Sequence, residues 1–301
     1  MDIETFQRLP TEEVARLVGE TGPKACVFPT NGTRRWFMLE HRPEREEDFA
    51  PAYLDAMRKR QIEIYQLFFD HGLDTVLTPF FGPYLMKRGA GYVQMAAEGL
   101  AQMVTHPDIL DFYKAHEVRV RFYGDYRKFF EPTPYAHLSD LLDEAAGQTL
   151  AHNRHRLFLG VFAHDSAETI AELAVHYYVE HGHIPDKRTL IELYYGEYVE
   201  PVDLFIGFSK FRAFDMPLLT RGTEDLYFTV SPSPYLTERQ LRDILYDHIF
   251  TRPGDVDYSA MDSDGWAWMS DFYRSNLGNT LGVGMKRQDA WYPLPQVKLP
   301  H

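Results

Sequence analysis

The sequence of 301 residues contains only one cysteine, Cys26. A single cysteine excludes an internal disulfide and every zinc or iron–sulfur site built on CxxC motifs. Cys26 lies within an apolar run, which favours a buried core thiol over a catalytic nucleophile. The chain must therefore be stabilised by its core, and its length is sufficient to bury a large one.

Long hydrophobic runs are also missing. No segment approaches the roughly 18 consecutive apolar residues of a membrane helix, so we expect no membrane insertion. The first residues are acidic where a signal peptide is basic, and no apolar h-region follows them. These features predict a cytoplasmic protein.

Positive charge is scarce, and three common motifs are absent. The chain has 31 Lys and Arg against 44 Asp and Glu, which gives a formal net charge of -13. Such an acidic surface argues against nucleic-acid binding. There is no GxSxG, Walker or GxGxxG sequence, which excludes the usual hydrolase, P-loop and dinucleotide-binding sites.

Short apolar segments alternate along the chain with longer amphipathic segments. The apolar segments predict strands over residues 25–28, 74–81, 118–124, 157–163, 203–208 and 226–230. The amphipathic segments predict helices over 11–18, 52–69, 92–104, 166–179 and 237–250, and a further helix capped by Ser139. This alternation predicts an α/β fold with a central, mainly parallel sheet flanked by helices on both faces.

We expect one domain over residues 1–301, with an irregular extension from about residue 251 that packs on the outside. The expectation of irregular structure rests on the helix- and strand-breaking residues of that region, Pro253, Gly254, Gly265 and Pro293.

The loop after the first predicted strand, residues 29–36, has the sequence PTNGTRRW. Ligands of parallel α/β sheets bind at the carboxyl ends of the strands. Gly32 permits a tight turn, and the backbone N–H groups of Gly32 and Thr33 beside Arg34 and Arg35 suit a phosphate or diphosphate. A solvated basic turn is the alternative, but two adjacent arginines in so acidic a chain favour an anion site.

This loop resembles the Asp-Gly-Asn-x-Arg-Trp signature of cis-prenyltransferases. Longer matches resemble the tuberculosinyl adenosine transferase (tuberculosinol synthase) family, which are diterpene-processing enzymes on a cis-prenyltransferase scaffold. They lie at 27–37, 122–126 (FYGDY), 194–199 (YYGEYV), 226–230 (LYFTV) and 244–249 (ILYDHI). The resemblance extends from about residue 10 to about residue 285. It implies a cis-prenyltransferase-like fold, a prenyl diphosphate substrate and a homodimer.

The resemblance also implies roles for individual residues. Arg34 and Arg35 match the family's diphosphate-binding pair, and Tyr53 and Tyr92 match two active-site tyrosines. With Asn31 these four residues form the predicted catalytic set. The predicted substrate-binding residues are Gly32, Thr33, Trp36, Phe81 and Arg212.

The chain departs from the family pattern at two positions. Asn31 stands where the family has an aspartate implicated in Mg²⁺ binding or catalysis, and an amide keeps the oxygen but loses the charge. Gly207 stands where chain-elongating enzymes have an arginine for a second diphosphate, with Arg212 nearby as a partial replacement. Asp225 matches a glutamate of the elongating enzymes, so we expect Asn31 and Asp225 to hold a Mg²⁺ cofactor.

The leading hypothesis is an enzyme that ionises an allylic prenyl diphosphate of C20 size, linear or bicyclic. The carbocation would end by capture of water, by proton loss, or by capture of a nucleoside nitrogen. One alternative is a chain-elongating cis-prenyltransferase that uses isopentenyl diphosphate, against which Gly207 counts. The other is a non-catalytic subunit of the superfamily, which Asn31 leaves open.

Aromatic residues are unusually abundant, at 15% of the chain. Many belong to predicted core segments, but a second group lies near the anion loop and the neighbouring strand end. Aromatic faces attract a carbocation by about 0.5–2 kcal/mol each. We therefore predict that several of these rings share one pocket, drawn from Trp36, Tyr53, Phe81, Tyr84 and Tyr92.

Overall fold

A sheet of parallel strands forms the centre of the molecule. The computed structural model describes residues 1–42, 49–163, 166–214, 216–254, 258–288, 290–294 and 297–299, without the side chains of residues 83 and 84. Within these ranges the strands are β1 (Ala25–Val27), β2 (Thr75–Phe81), β3 (Val118–Tyr123), β4 (His155–Val161), β5 (Leu204–Phe208), β6 (Asp225–Thr229), β7 (Gly284–Arg287) and β8 (Ala290–Pro293).

The helices of the same ranges are α1 (Ile3–Arg8), α2 (Thr11–Thr21), α3 (Thr33–Glu40), α4 (Phe49–Asp70), α5 (Pro83–Met86), α6 (Ala90–Thr105), α7 (Pro107–Ala115), α8 (Tyr126–Phe130), α9 (His137–Gln148), α10 (Ser166–His181), α11 (Lys187–Tyr195), α12 (Glu238–Tyr246) and α13 (Ser263–Asn276). Short 3₁₀ turns occupy Ser233–Tyr235 and Tyr258–Ala260, and a π-helical turn, Asp247–Thr251, follows α12. None of the described helices is both long and apolar enough to cross a membrane.

The sheet has the strand order β3-β4-β2-β1-β5-β6, and every neighbouring pair is parallel. The prediction of a mainly parallel sheet flanked by helices is thus confirmed. The chain leaves β1 toward β2 on one side, whereas β5 lies on the other side of β1. The loop after β1 therefore stands where the strand order reverses, which is the usual ligand position of such sheets.

Both faces of the sheet are covered. Successive residues of β1 alternate between two core clusters, with Cys26 in one cluster and Ala25 and Val27 in the other. The first cluster contains apolar residues of α2, α4, α6, α7, α9 and α12, and the second those of α11 and the chain that follows it. Cys26 is fully buried, as its apolar surroundings predict, and burial raises the pKa of its thiol well above the usual range.

Of the two helix caps predicted from the sequence, at Thr237 and Ser139, the structure has one. Thr237 does cap its helix, because its side chain accepts a hydrogen bond from the backbone N–H of Gln240. Ser139 does not, since α9 begins two residues earlier and Ser139 is buried within it. The predicted helices did not include α7 and α11, which are short helices of nine residues each.

The expectation of irregular structure after residue 251 is wrong for much of that segment. It contains α13, 14 residues long, and the antiparallel hairpin of β7 and β8. Gly265 lies in the first turn of α13, where its N–H donates to the capping side chain of Asp262, and Pro293 ends β8. These breaking residues mark the ends of elements.

Candidate active site

Gly32 fixes the shape of the loop after β1. Its φ of 76° is left-handed, a conformation that favours glycine. A Cβ at this position would lie 2.8 Å from Cε1 of Phe208 and 2.9 Å from Cβ of Pro232. The chain can therefore turn into α3 at this position only because residue 32 has no side chain.

Ser233 holds the same loop from the other side. Its buried Oγ accepts from the N–H of Asn31 at 3.1 Å and donates to the carbonyl of Pro29 at 3.0 Å. Its own N–H donates to the carbonyl of Asn31 at 3.0 Å. Ser233 could not be predicted from the sequence of the loop, because it lies about 200 residues away in the chain. These bonds fix the loop before any ligand arrives.

The first turn of α3 combines several groups that favour an anion. The N–H of Trp36 donates to the carbonyl of Gly32 at 2.9 Å, so the preceding N–H groups of α3 have no acceptor within the helix. The exposed guanidinium groups of Arg34 and Arg35 stand beside them, 5.3 Å from the ring centre of Phe49 and 5.4 Å from that of Phe208. Backbone donors, the helix dipole and two guanidinium groups thus favour negative charge at one place.

A cleft of about 1140 Å³ opens at this edge of the sheet. Among the described residues that line it, none has a carboxylate, and five are basic: Arg34, Arg35, Arg88, Lys210 and Arg212. In a chain of net charge -13 this is a local reversal of sign. The cleft is therefore suited to an anionic ligand.

Arg88 also lines the cleft, although it was not among the predicted site residues. Its Nη1 donates to the hydroxyl of Tyr92 at 3.0 Å, and its guanidinium lies 5.0 Å from the centre of the Tyr92 ring. The available signal was the basic pair Lys87-Arg88 in the segment after β2, close to a strand end where ligands are expected.

A smaller pocket of about 130 Å³ adjoins the cleft between α4 and α6. The two cavities share Thr30, Thr33, Pro79, Phe80, Phe81, Leu85 and Tyr92. The rest of the smaller pocket, called the tail pocket below, is mainly apolar, with Leu54, Met57, Met95, Ala96, Gly99 and Met103, and its other lining residues are Tyr53, Arg58, Gln61 and Gln102. An apolar pocket beside a cationic cleft fits a molecule with a hydrocarbon tail and an anionic head.

Tyr53 connects the two cavities. It lines the tail pocket, and its hydroxyl lies 2.7 Å from Oγ1 of Thr33, the first residue of α3. Burial raises the pKa of Tyr53 to about 12, so that the phenol stays protonated even above the ordinary tyrosine pKa. Tyr53 can thus donate a hydrogen bond but does not act as a base in this state.

The structure brings most of the predicted site residues together. The cleft is lined by Asn31, Gly32, Thr33, Arg34, Arg35, Phe81, Tyr92 and Arg212, and the tail pocket by Tyr53, Phe81 and Tyr92. Trp36 lies elsewhere: it is buried beside Phe37 and Met57, with its ring 5.3 Å from that of His41. It lines neither cavity, so its position does not agree with the predicted contact between Trp36 and the substrate. The side chain of Tyr84 lies outside the described residues.

The prediction that Asp225 supplies a carboxylate near Asn31 is wrong. Asp225 is the first residue of β6 and pairs in register with Leu204, the first residue of β5. It therefore lies at the amino edge of the parallel sheet, whereas Asn31 follows the carboxyl end of β1. There its carboxylate binds Nδ1 of His248 at 2.7 Å and Nη1 of Arg252 at 2.9 Å.

The oxygen ligands that the cleft offers can be compared with those that Mg²⁺ requires. Mg²⁺ sites in proteins are usually built on one or two carboxylates, and Asn31 offers only a neutral amide oxygen. The described part of the chain contains no group of three or more His, Cys, Asp or Glu residues that could hold a metal. These residues therefore do not fit a protein-held Mg²⁺, and the expected cofactor stays a prediction of the resemblance.

The fold and the position of the cleft define a protein of the cis-prenyltransferase fold. The structure is similar to lavandulyl diphosphate synthase from Lavandula x intermedia in complex with dimethylallyl diphosphate, with a TM-score of 0.62 and 17% identity over 80% of this chain and 98% of that one. It is also similar to a probable undecaprenyl diphosphate synthase from Campylobacter jejuni, with a TM-score of 0.56 and 14% identity over 77% of this chain and 97% of that one.

Sequence similarity is more specific. The chain is 43% identical over 290 residues to tuberculosinyl adenosine transferase of Mycobacterium tuberculosis, covering 95% of this chain and 96% of that protein. The chain belongs to the tuberculosinyl adenosine transferase family, as its motifs predict. It is also 25% identical to (+)-kolavelool synthase of Herpetosiphon aurantiacus, over 92% of this chain and 91% of that protein. No protein-family model matches the chain. Since these relatives are a transferase and a synthase, the prediction of an enzyme is confirmed.

Proposed function

We propose that the protein ionises an allylic prenyl diphosphate of C20 size, releases diphosphate and ends the carbocation with water, by proton loss or with a nucleoside nitrogen. The observation that carries the proposal is the cationic cleft joined to the apolar tail pocket. The printed names of the relatives, which include tuberculosinyl transfer and kolavelool synthesis, support the same class of substrate.

In this proposal, the first turn of α3 with Arg34 and Arg35 binds the diphosphate as it leaves. As the allylic C–O bond breaks, its electron pair leaves with the diphosphate, and negative charge grows on the bridging oxygen. Arg34 and Arg35 line the cleft, and the first N–H groups of α3 follow Gly32 in the same lining, so we propose that these donors bind the diphosphate. Because the loop is held by Gly32 and Ser233, these donors need little rearrangement when the charge develops.

In this proposal, the tail pocket binds the hydrocarbon part of the prenyl diphosphate. Its methionines and apolar side chains bury the tail, while Phe81 and Tyr92 line both cavities and so stand near the junction of tail and head. Their ring faces can stabilise positive charge on the allylic carbons. The protonated Tyr53 and the hydroxyl of Tyr92 are placed to orient water or another nucleophile.

The test is incubation of the full chain with C10, C15 and C20 allylic diphosphates and bicyclic C20 forms, followed by assay of diphosphate and product mass spectrometry. We expect release with C20 substrates and a loss of about 100-fold or more for Arg34→Ala and Arg35→Ala. Arg8→Ala, which changes a highly exposed arginine of α1, is the matched control and should retain full activity. Full release by both cleft variants would contradict the proposal, and no release from any substrate would favour a non-catalytic subunit.

Chain elongation is the second candidate, because Lys210 and Arg212 line the cleft and could bind a second diphosphate. Gly207 argues against it. A Cβ on this buried residue would lie 2.8 Å from the ring of Phe228 and 2.9 Å from that of Phe205, so an arginine has no room here. Elongation predicts incorporation of labelled isopentenyl diphosphate, and release of diphosphate without incorporation would eliminate it.

We further propose that the protein is a homodimer through α10. No described residue of this helix is buried, although it carries several apolar side chains. The most exposed of them are Val175 (60%), Tyr178 (53%) and Val179 (78%). Light scattering should give the mass of a dimer, and Val179→Glu should shift it to that of a monomer. A monomeric mass for the unmodified chain would contradict the proposal, and Leu277→Glu, at an equally exposed site of the chain, is the control.

A further inference from the structure

The tail pocket becomes polar at the end that lies away from the cleft. Its walls α4 and α6 both run from the carboxyl edge of the sheet toward the amino edge, since each leads from one parallel strand to the next. Tyr53 and Tyr92 stand near the starts of these helices, beside the cleft, whereas Gln61 and Gln102 line the pocket further along them. Eight residues of helix rise about 12 Å and ten rise about 15 Å. Both glutamines are therefore far from the proposed position of the diphosphate.

Gln61 carries a buried amide that its own protein does not satisfy. The residue is only 6% exposed, and its side chain forms no hydrogen bond with any residue that the structure describes. A buried amide without a partner destabilises the folded state, so buried polar groups in proteins nearly always bind something. Because Gln61 lines the tail pocket, a ligand in that pocket can supply the missing partner.

Arg58 and Gln102 add further polar groups at the same end of the pocket. Arg58 lies one turn before Gln61 on the same face of α4, and its Nη1 donates to Oε1 of Gln102 at 3.4 Å. Its other nitrogens donate to Asp55 at 2.5 Å and to Asp108 at 3.1 Å, so its charge is compensated. The oxygen of Gln102 is thus used, whereas its amide nitrogen has no partner among the described residues. The groups left for a ligand are neutral amides.

We propose that this end of the tail pocket binds a hydroxyl group on the tail of the prenyl diphosphate, held by Gln61 and Gln102. A hydroxyl carries no charge and both donates and accepts a hydrogen bond, which matches two amide donors and one amide oxygen. A plain hydrocarbon tail would leave these groups unpaired. The inference rests on the proposed function and extends it by naming the substrate class, an allylic C20 diphosphate that is oxygenated at its distal end.

The experiment compares kcat/KM for diphosphate release from two substrates of the full chain. One is the linear C20 allylic diphosphate, and the other is the same molecule with a hydroxyl on its terminal isoprene unit. We expect the unmodified chain to prefer the hydroxylated tail by about 10-fold or more. Gln61→Met, which keeps the length of the side chain but removes the amide, should reduce this ratio to about one. Gln66→Met is the matched control, because Gln66 is an exposed residue of the same helix that does not line the pocket, and it should retain the preference.

Two further measurements do not depend on the Gln61→Met enzyme being active. Gln102→Met should lower the same preference, because it removes the second amide donor. Denaturant unfolding of Gln61→Met without substrate should show a higher midpoint than that of the unmodified chain, since an unpaired buried amide is replaced by an apolar group. A lower midpoint would show that the amide has a structural partner and would overturn the inference.

The outcomes separate this inference from the proposed function. Release from both substrates at equal kcat/KM, or a preference that Gln61→Met leaves unchanged, would overturn the hydroxyl site while the proposed function stands. No release from either substrate would contradict the proposed function, and the inference with it.

Discussion

The charged residues at the two edges of the central sheet have different partners. At the amino edge, acids and bases neutralise each other: Asp225 binds His248 and Arg252, and Asp203, directly before β5, binds Arg221 at 2.8 Å. At the carboxyl edge, the described lining residues of the cleft include five basic residues and no carboxylate. There Arg34 and Arg35 lie against aromatic rings.

This difference separates structural charge from charge that can bind a ligand. A base that already holds a carboxylate has its charge compensated within the protein, and removal of its partner costs stability. A base that lies on a ring keeps its donors directed outward. We therefore predict that substitutions at the carboxyl edge change ligand binding and activity, whereas those at the amino edge change stability.

After the loss of Arg34 or Arg35, the largest expected effect at the carboxyl edge is that of Gly32→Ala. The new Cβ would contact Phe208 and would need a left-handed backbone, so the loop and the first turn of α3 must move. Since a displacement of about 1 Å can cost 100-fold in rate, we expect diphosphate release to fall by about that factor. Gly147→Ala, at a position with no neighbour within 4 Å, should leave the rate unchanged. An unaffected Gly32→Ala enzyme would show that the loop does not position the reaction.

Asn31→Asp should produce the next largest effect. A carboxylate among the cationic side chains of the cleft would repel diphosphate and compensate their charge, which we expect to weaken binding of inorganic diphosphate by about 10-fold. Asp225→Asn is the matched change at the amino edge. It should leave that affinity unchanged but lower the free energy of unfolding by about 1 kcal/mol, because it weakens the contacts to His248 and Arg252. Equal effects of both changes on diphosphate affinity would remove the distinction between the edges.

The expected effect of Ser233→Ala lies between that of Asn31→Asp and that of Tyr53→Phe. It deletes the side-chain hydrogen bonds to the N–H of Asn31 and the carbonyl of Pro29, and denaturant unfolding should show a loss of about 1–3 kcal/mol. The rate of diphosphate release should fall less than in Gly32→Ala, since the turn itself is retained. Ser231→Ala changes a nearby exposed serine and serves as the control. A Ser233→Ala enzyme of unchanged stability would show that the loop is held by other contacts.

The smallest expected effect is that of Tyr53→Phe on the pH dependence of the rate. Burial raises its pKa to about 12, so the folded protein favours the protonated phenol. Its stability contribution is therefore complete below the ordinary tyrosine pKa of about 10 and is lost as the pH rises toward about 12. We expect the same shape of the pH–rate profile for Tyr53→Phe and the unmodified enzyme between about pH 7 and pH 10. A rise of rate in that range that disappears in Tyr53→Phe would identify a tyrosinate base and contradict this assignment.

The sequence predicted the anion loop because its residues are contiguous. Asn31, Gly32, Arg34 and Arg35 follow one strand directly, and the rule that ligands bind at carboxyl ends of strands was sufficient to place them. The same rule would have corrected Asp225. The predicted strand begins at residue 226, which already places Asp225 at an amino end.

Other parts of the site depend on contacts between distant segments. Ser233 and Trp291 reach the site from far along the chain, and no local pattern marks them. Trp36 was misassigned because closeness in sequence to Arg35 does not determine which side of a helix faces the cleft. The hairpin of β7 and β8, which carries Trp291, was missed because Gly265 and Pro293 suggested irregular chain in this segment.

The most direct test of the contrast between the edges is the affinity of inorganic diphosphate for the full chain, measured by isothermal titration calorimetry on three proteins. These are the unmodified chain, Arg35→Ala at the carboxyl edge and Arg252→Ala at the amino edge. We predict a loss of affinity of about 10-fold or more for Arg35→Ala, because a charge-assisted contact is removed, and no loss for Arg252→Ala. The same affinity for Arg35→Ala and the unmodified chain, or an equal loss in both variants, would contradict it.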